Sequence, residues 1–311
     1  MGYSESVNNL FISQLSDWDL ASANYKQLEN VRVRKINFGA FDLIVQFNPG
    51  RITSSAAKVD TRSIEARPCF LCAGNRPPQQ RGLLFDTNCT ILVNPFPIFN
   101  RHLTIVSDDH TDQRILNSFR KMLALAKELT DFVIFYNGPQ CGASAPDHLH
   151  FQAGNKGFLP VENDFAGKKN CSLVSQKEDI KMWQWNNYLR GIASLEGFVA
   201  EKLASSFERF YSRFLLLQPD RPEPMLNILC SFSDGKWVIH IIPRKLHRPS
   251  QFFAEDKTKI ILSPASVDMG GVVITPREED FNKITASDIS DIFGQVCLSD
   301  EELSPLIKDI L

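Results

Sequence analysis

Asp147-His148-Leu149-His150-Phe151-Gln152 is the stretch on which the reading of this chain turns. Its polar and apolar residues alternate, which predicts a strand over residues 147–153. On a strand, alternate side chains share a face. His148, His150 and Gln152 then point one way, while Leu149 and Phe151 point into a core. Immediately upstream runs Asn137-Gly138-Pro139-Gln140-Cys141-Gly142-Ala143-Ser144-Ala145-Pro146, a loop of small residues. Such residues let backbone N–H groups approach an anion closely, and Ser144 adds a hydroxyl donor.

Outward from this centre the chain reads as an α+β protein. Residues 31–48 give two strands, the second being Phe41 to Phe47, closed by the turn Asn48-Pro49-Gly50. A long polar loop reaches Arg81 and carries Cys69-Phe70-Leu71-Cys72. Strands follow at Thr90–Val93, ending at Asn94-Pro95, and at Leu103–Val106. The spacing of Ile115, Phe119, Met122, Ala126 and Leu129 predicts a helix over 111–130 with Thr111 as its N-cap. Phe132–Tyr136 is another strand. Residues 154–170 read as a connector.

The second half repeats this vocabulary. Leu203, Phe207, Phe210 and Phe214 form a helix face, and the stripe with Phe198 reads as core. Leu226–Phe232 and Trp237–Ile242 form a hairpin about Ser233-Asp234-Gly235, and Val272–Ile274 is a late strand. Because the strands come in hairpins, the sheets are expected to be antiparallel, with helices flanking them.

The 311 residues are 43% hydrophobic and 23% charged, a globular profile with a net charge of −2. No basic excess points to nucleic acid, and no apolar run points to a membrane span. The seven cysteines are scattered and odd in number, which argues for a reducing, cytoplasmic setting. There, a Cys-x-x-Cys pair binds metal or is redox-active more readily than it crosslinks. Reduced, metal-free buried cysteines are the plainer alternative.

Taken with its loop, His148-Leu149-His150-Phe151-Gln152-Ala153 resembles the histidine-triad superfamily, in the His-x-His-x-Gln form of its transferase and phosphorylase branch. This run and Gln46-Phe47-Asn48-Pro49-Gly50-Arg51 look like the GDP-hexose phosphorylases. Gly142-Ala143-Ser144 is similar to the diadenosine-tetraphosphate phosphorylases (ATP adenylyltransferases), and the run from Asn94-Pro95 through Arg101–Val106 looks like the superfamily's strand-turn-strand before its helix. The resemblance implies that His150 attacks the α-phosphorus of a nucleotide sugar or dinucleoside polyphosphate. A nucleotidyl-histidine forms, and phosphate or a sugar phosphate takes the nucleotide. Backbone amides near Gly142 and the Ser144 hydroxyl would stabilise the phosphoryl oxygens. Gln152 would hydrogen-bond the phosphate; as an amide it cannot act as a proton-transfer acid, which favours transfer over hydrolysis.

The superfamily's zinc-binding members, galactose-1-phosphate uridylyltransferase among them, imply a structural zinc held here by Cys69, Cys72, His110 and His148, with His102 as an alternative third ligand. The two histidines lie too far along the chain for a DNA-reading finger. Asn48 and Arg51 read equally as substrate contacts or as a turn Asn and a surface Arg. Asn94 matches a position that meets the ribose in the resembled family, and Asn137 and Gly142 complete the candidate binding set. Among Arg62, Arg67, Arg76 and Arg81, one or two are expected to clamp phosphates. His240, Arg244, Lys245 and His247 read mainly as a solvated strand end, with a phosphate role as the alternative.

The chain is therefore expected to hold two fused histidine-triad-like units, residues 1–160 carrying the catalysis and residues 161–311 completing the site. The expected partners are a nucleotide or nucleotide-sugar substrate and inorganic phosphate, with neither nucleic acid nor membrane. Oligomeric state stays open, a homodimer being one option. The rival readings are a non-catalytic nucleotide-binding regulator with a zinc-stabilised fold and a histidine-triad hydrolase.

Overall fold

The computed structural model describes residues 3–52 and 59–311; residues 53–58 of the expected polar loop lie outside them. Ten antiparallel strands build one continuous sheet in the order β3-β4-β5-β7-β6-β11-β12-β10-β9-β8. Its first half comprises β3 (Gly82–Phe85), β4 (Cys89–Val93), β5 (His102–Ser107), β6 (Phe132–Asn137) and β7 (His150–Asn155). The second half comprises β8 (Cys171–Lys177), β9 (Ile180–Trp185), β10 (Ala193–Gly197), β11 (Leu226–Ser233) and β12 (Lys236–Pro243). The two halves share one strand order, mirrored about the β6–β11 pair, where Asn137 faces Asn227 and Phe135 faces Leu229. Each half also places a helix between its third and fourth strands, Phe119–Glu128 and Ala200–Leu216.

Strand alternation divides the core into two layers. Ile134, Tyr136, Phe151, Ile228 and Ile239 face the two helices, whose Phe119 and Phe207 rings stack at 3.9 Å. Val133, Phe135, Leu229 and Ile242 face the opposite way, onto a second sheet of β1 (Arg32–Asn37), β2 (Asp42–Phe47) and β13 (Val272–Thr275). Burying each such side chain contributes roughly 1.5–3 kcal/mol. His150 and Gln152 alternate with Phe151, so they lie on the face of this second sheet. The N-terminal helix Tyr3–Asp17 packs beside β3 and β4, the helix Asp19–Gln27 packs against it, and Trp18 between them lines the same cavity as His150.

Several expectations are corrected. The helix expected over 111–130 begins only at Phe119, after a single 3-10 turn at Leu116–Ser118. The backbone before it is diverted: Thr111 offers its carbonyl to the Leu149 amide, and the Gln113 amide donates to the Pro146 carbonyl. The strand expected from Asp147 starts at His150, because residues 146–148 form a turn in which the His148 amide donates to the Ala145 carbonyl. The late strand β13 pairs in parallel with β2, so antiparallel pairing does not extend throughout. The 154–170 connector contains a helix, Pro160–Ala166. Phe198 is 56% exposed and leaves the core to Phe207, Phe210 and Phe214. His240 and Arg244 are buried and not at a solvated strand end. The His240 ring is bonded to Ser194 Oγ, and the Arg244 guanidinium donates to Asn227 Oδ1 and the Pro264 carbonyl.

Candidate active site

At the start of β7 the His150 main chain is held by a side chain. Gln113 is buried; its Oε1 accepts the His150 N–H at 2.8 Å, and its Nε2 donates to the His150 and Asn137 carbonyls, each at 3.0 Å. Continuing the β6–β7 register would pair Asn137 with His150, and the Gln113 amide stands in for that rung. The imidazole's Nδ1 lies 2.8 Å from the His148 carbonyl. A carbonyl only accepts, so Nδ1 carries the hydrogen and Nε2 the lone pair. Burial pushes the ring's pKa down to about 4, which keeps it neutral near pH 7. Gln113 was not singled out from the sequence, where it looks like a polar residue near a helix start.

Gln152 faces the same way as His150, and its Oε1 lies 2.9 Å from His102 Nε2. His102 sits on β5, fully buried, and burial pushes its pKa down to about 3, with Arg51 adding to the effect.

His150 opens onto a cavity of about 550 Å³. Trp18, Phe70 and Phe96 belong to its apolar lining, and Asn94, Arg67, Ser144 and Gln152 to its polar lining. Phe70 and Phe96 are exposed there, at 47% and 40%. A smaller, polar compartment adjoins it, lined by Asn137, Gly142, His247, Arg248 and Asp268. Arg51, Ser144 and Gln152 line both. Arg51 donates to the Phe96 carbonyl, and burial pushes its pKa down to about 10, still cationic at neutral pH.

Of the four arginines of the polar loop, Arg67 reaches this cavity. It bonds the Ser144 carbonyl, pairs with Asp147 at 3.3 Å and lies over the Phe70 ring, yet its Nη1 is buried without a partner among the described residues. Arg76 instead binds the Leu71 carbonyl, Arg81 the Ser13 carbonyl and Asp17, and Arg62 is exposed. Asn94 is oriented by Thr104 Oγ1 at 2.9 Å. Asn48 lines neither compartment; its amide donates to the Pro97 carbonyl. The Asn137 side chain is drawn toward the second half, where Oδ1 accepts from the Ser266 amide and from Asn227. Gly142 has φ +98°, and a Cβ there would come within 2.5 Å of the Ala265 Cβ, so the small-residue loop is pressed against the second half.

Beside this site Cys69, Cys72, His110 and His148 converge, with all four ligand atoms within 4.8 Å of one another. His148 Nδ1 lies 3.3 Å from Cys69 Sγ and 3.6 Å from Cys72 Sγ, and His110 Nδ1 lies 3.1 Å from Cys72 Sγ. These separations approach the edge of about 3.6 Å that S and N ligands span around one tetrahedral ion. His148 Nε2 donates to the Ser107 carbonyl at 2.8 Å, which turns the Nδ1 lone pair toward the sulfurs. Asp147 lies 3.7 Å from His110 Nε2. The cluster can hold a metal ion. His102 is not part of it; its two ring nitrogens face Ile98 and Gln152.

Residues 10–155 match a domain of unknown function, DUF4922, and residues 165–311 match the GDPGP1-like C-terminal domain. No curated protein matches the sequence. Yeast Ap4A phosphorylase is 17% identical, with a TM-score of 0.59 over 91% of this chain and 97% of its own. The fold is that of the yeast enzyme. Further structures of the yeast enzyme hold AMP and Ap4A. Each is 16% identical with a TM-score of 0.56; they cover 91% and 88% of this chain and 96% and 94% of their own. At these identities the likeness establishes the fold alone. Among the described residues, no helix is long and apolar enough to cross a membrane.

Proposed function

We propose that the chain is a nucleotidyltransferase of phosphorylase type, with His150 as its nucleophile. The observation that carries this is the His150 ring, its Nδ1 committed to a carbonyl and its pKa lowered by burial, opening onto a cavity lined by aromatic rings and by Arg67, Ser144 and Gln152. The complexes of yeast Ap4A phosphorylase with AMP and Ap4A support a nucleotide substrate.

In this reading Trp18, Phe70 and Phe96 receive the base, and Asn94 faces the ribose. His150 Nε2 forms a bond to the α-phosphorus as the bond from phosphorus to the leaving phosphate oxygen breaks. Arg67, Ser144 and Gln152 hold the non-bridging oxygens. The leaving group departs into the smaller compartment, where Arg51 and Arg248 offset its charge. A phosphate oxygen then attacks from that side, and the N–P bond breaks. Phosphate leaving groups need little protonation, consistent with an amide at position 152 in place of an acid. The units divide near residue 160, with the second supplying His247 and Arg248 to the site.

Cys69, Cys72, His110 and His148 would hold one zinc. Four protein ligands leave no open position, so its task is structural. It would fasten the Cys69–Cys72 loop, and with it Phe70 and Arg67, to the catalytic strand. Free cysteines without a disulfide partner fit a reducing compartment such as the cytoplasm.

The test is adduct trapping. Offered GDP-, ADP- or UDP-sugars or dinucleoside polyphosphates labelled at the α-phosphorus, the wild type should retain label on protein, and His150→Ala should not. A binding module would hold nucleotide without ever labelling. A hydrolase would release product without added phosphate.

A further inference from the structure

The Ile98 backbone N–H points at His102 Nδ1, 3.2 Å away. A backbone amide can only donate, so Nδ1 must accept. A ring that accepts at Nδ1 carries its single hydrogen on Nε2. That hydrogen is directed at Gln152, 2.9 Å away, and the Gln152 atom receiving it must therefore be the carbonyl oxygen. The Gln152 NH2 group is left at the other end, where the side chain lines both compartments. Phe99 and Phe135 pack against the imidazole, with ring centroids 5.3 and 5.9 Å away, and hold it in this plane. The β5–β7 register fixes both backbones, pairing Thr104 with Gln152 and His102 with Gly154.

We propose that His102 is a positioning residue: it fixes the Gln152 amide so that its NH2 group, not its oxygen, meets the phosphoryl group being transferred. This rests on the nucleotidyl-transfer reading above. A primary amide is nearly symmetric in shape, and a half-turn exchanges its ends. With the oxygen turned inward, a carbonyl dipole would oppose the phosphate oxygens as charge develops on them. The relay from Ile98 through His102 settles the choice before substrate arrives. Nothing in the local sequence signals it, because His102 and Gln152 lie on different strands.

Two substitutions separate this role from simple anchoring of the Ile98 loop. His102→Asn sets an oxygen near the Nδ1 position, so it still accepts from Ile98 but cannot reach Gln152. His102→Gln sets an amide nitrogen near the Nε2 position, so it still donates to Gln152 but not to the loop. The proposal expects His102→Asn to lose about 10²-fold in kcat for nucleotidyl transfer with KM little changed, the size of loss seen when one oriented donor is removed. His102→Gln should stay within about tenfold of wild type, and His102→Asn should cost nothing further in a Gln152→Ala background. Wild-type kcat in His102→Asn, or the reverse ranking of the two variants, would overturn the proposal. Nitrogen-15 spectra of the substrate-free wild type supply an independent readout: the His102 ring should be the Nε2–H tautomer, and an Nδ1–H ring would overturn the orientation. Should the wild type label with no nucleotide, the transfer reading fails, while the tautomer still decides how Gln152 is held.

Discussion

Leucine in place of Gln113 keeps the side chain's bulk and removes its polar end. Three hydrogen bonds vanish from a fully buried site: the one that receives the His150 N–H and the two donated to the His150 and Asn137 carbonyls. A buried polar group left without a partner costs about 1–3 kcal/mol. The His150 N–H bears that penalty in full, because it has one hydrogen to give; the carbonyls bear less, since each has a second lone pair. The sum is roughly 3–5 kcal/mol, which at about 2 °C per kcal/mol for a chain of this size lowers the melting temperature by about 6–10 °C. The loss falls on the backbone that carries His150, the proposed nucleophile, so adduct formation should drop by more than the folded fraction does. Urea unfolding and the initial rate of nucleotidylation, measured on the same preparation, check both parts. Unfolding within 1 kcal/mol of wild type at an unchanged labelling rate would refute the argument.

Three further outcomes are expected. Metal analysis should find about one zinc per chain, lost in Cys72→Ser, and a chelator should lower the melting temperature of the wild type; a metal-free wild type with an unchanged melt would reject the site. Burial depresses His102 to about 3, His240 to about 3 and His247 to about 4, so below pH 6.5 the unfolded chain binds protons that the folded one refuses. Stability should therefore fall as pH drops from 7 to 5, by up to about 1.4 kcal/mol per unit for each ring. Burial raises Glu223 to about 7 and Asp268 to about 6, which opposes part of the fall; urea midpoints that hold or rise over this range would contradict it. Gly154→Ala places a Cβ 2.3 Å from the buried Phe99 ring, which packs on His102, and should cost about 1–3 kcal/mol. A cost below about 0.5 kcal/mol would mean that the ring can turn aside.

The sequence by itself determined what neighbouring residues decide among themselves. Alternation set Phe151 into the helix-side core and His150 and Gln152 onto the opposite face. Asp234 and Gly235 take φ of +53° and +77°, as the hairpin turn requires. The small residues from Gly138 to Ala145 marked the loop, and Cys69 and Cys72 marked their own pairing. Where the local pattern had a distant competitor, the tertiary structure decided. The helix expected from Thr111 does not begin until Phe119, because Gln113 and the Thr111 carbonyl bond the segment carrying His150. His102 serves Gln152 and not the cysteines, since strand pairing sets it across β5 and β7. Arg244 is buried because Asn227 and the Pro264 carbonyl, far away in sequence, accept its hydrogens. Period and turn chemistry are short-range properties that a sequence displays directly. The partner of a buried polar group is chosen only once the strands are paired.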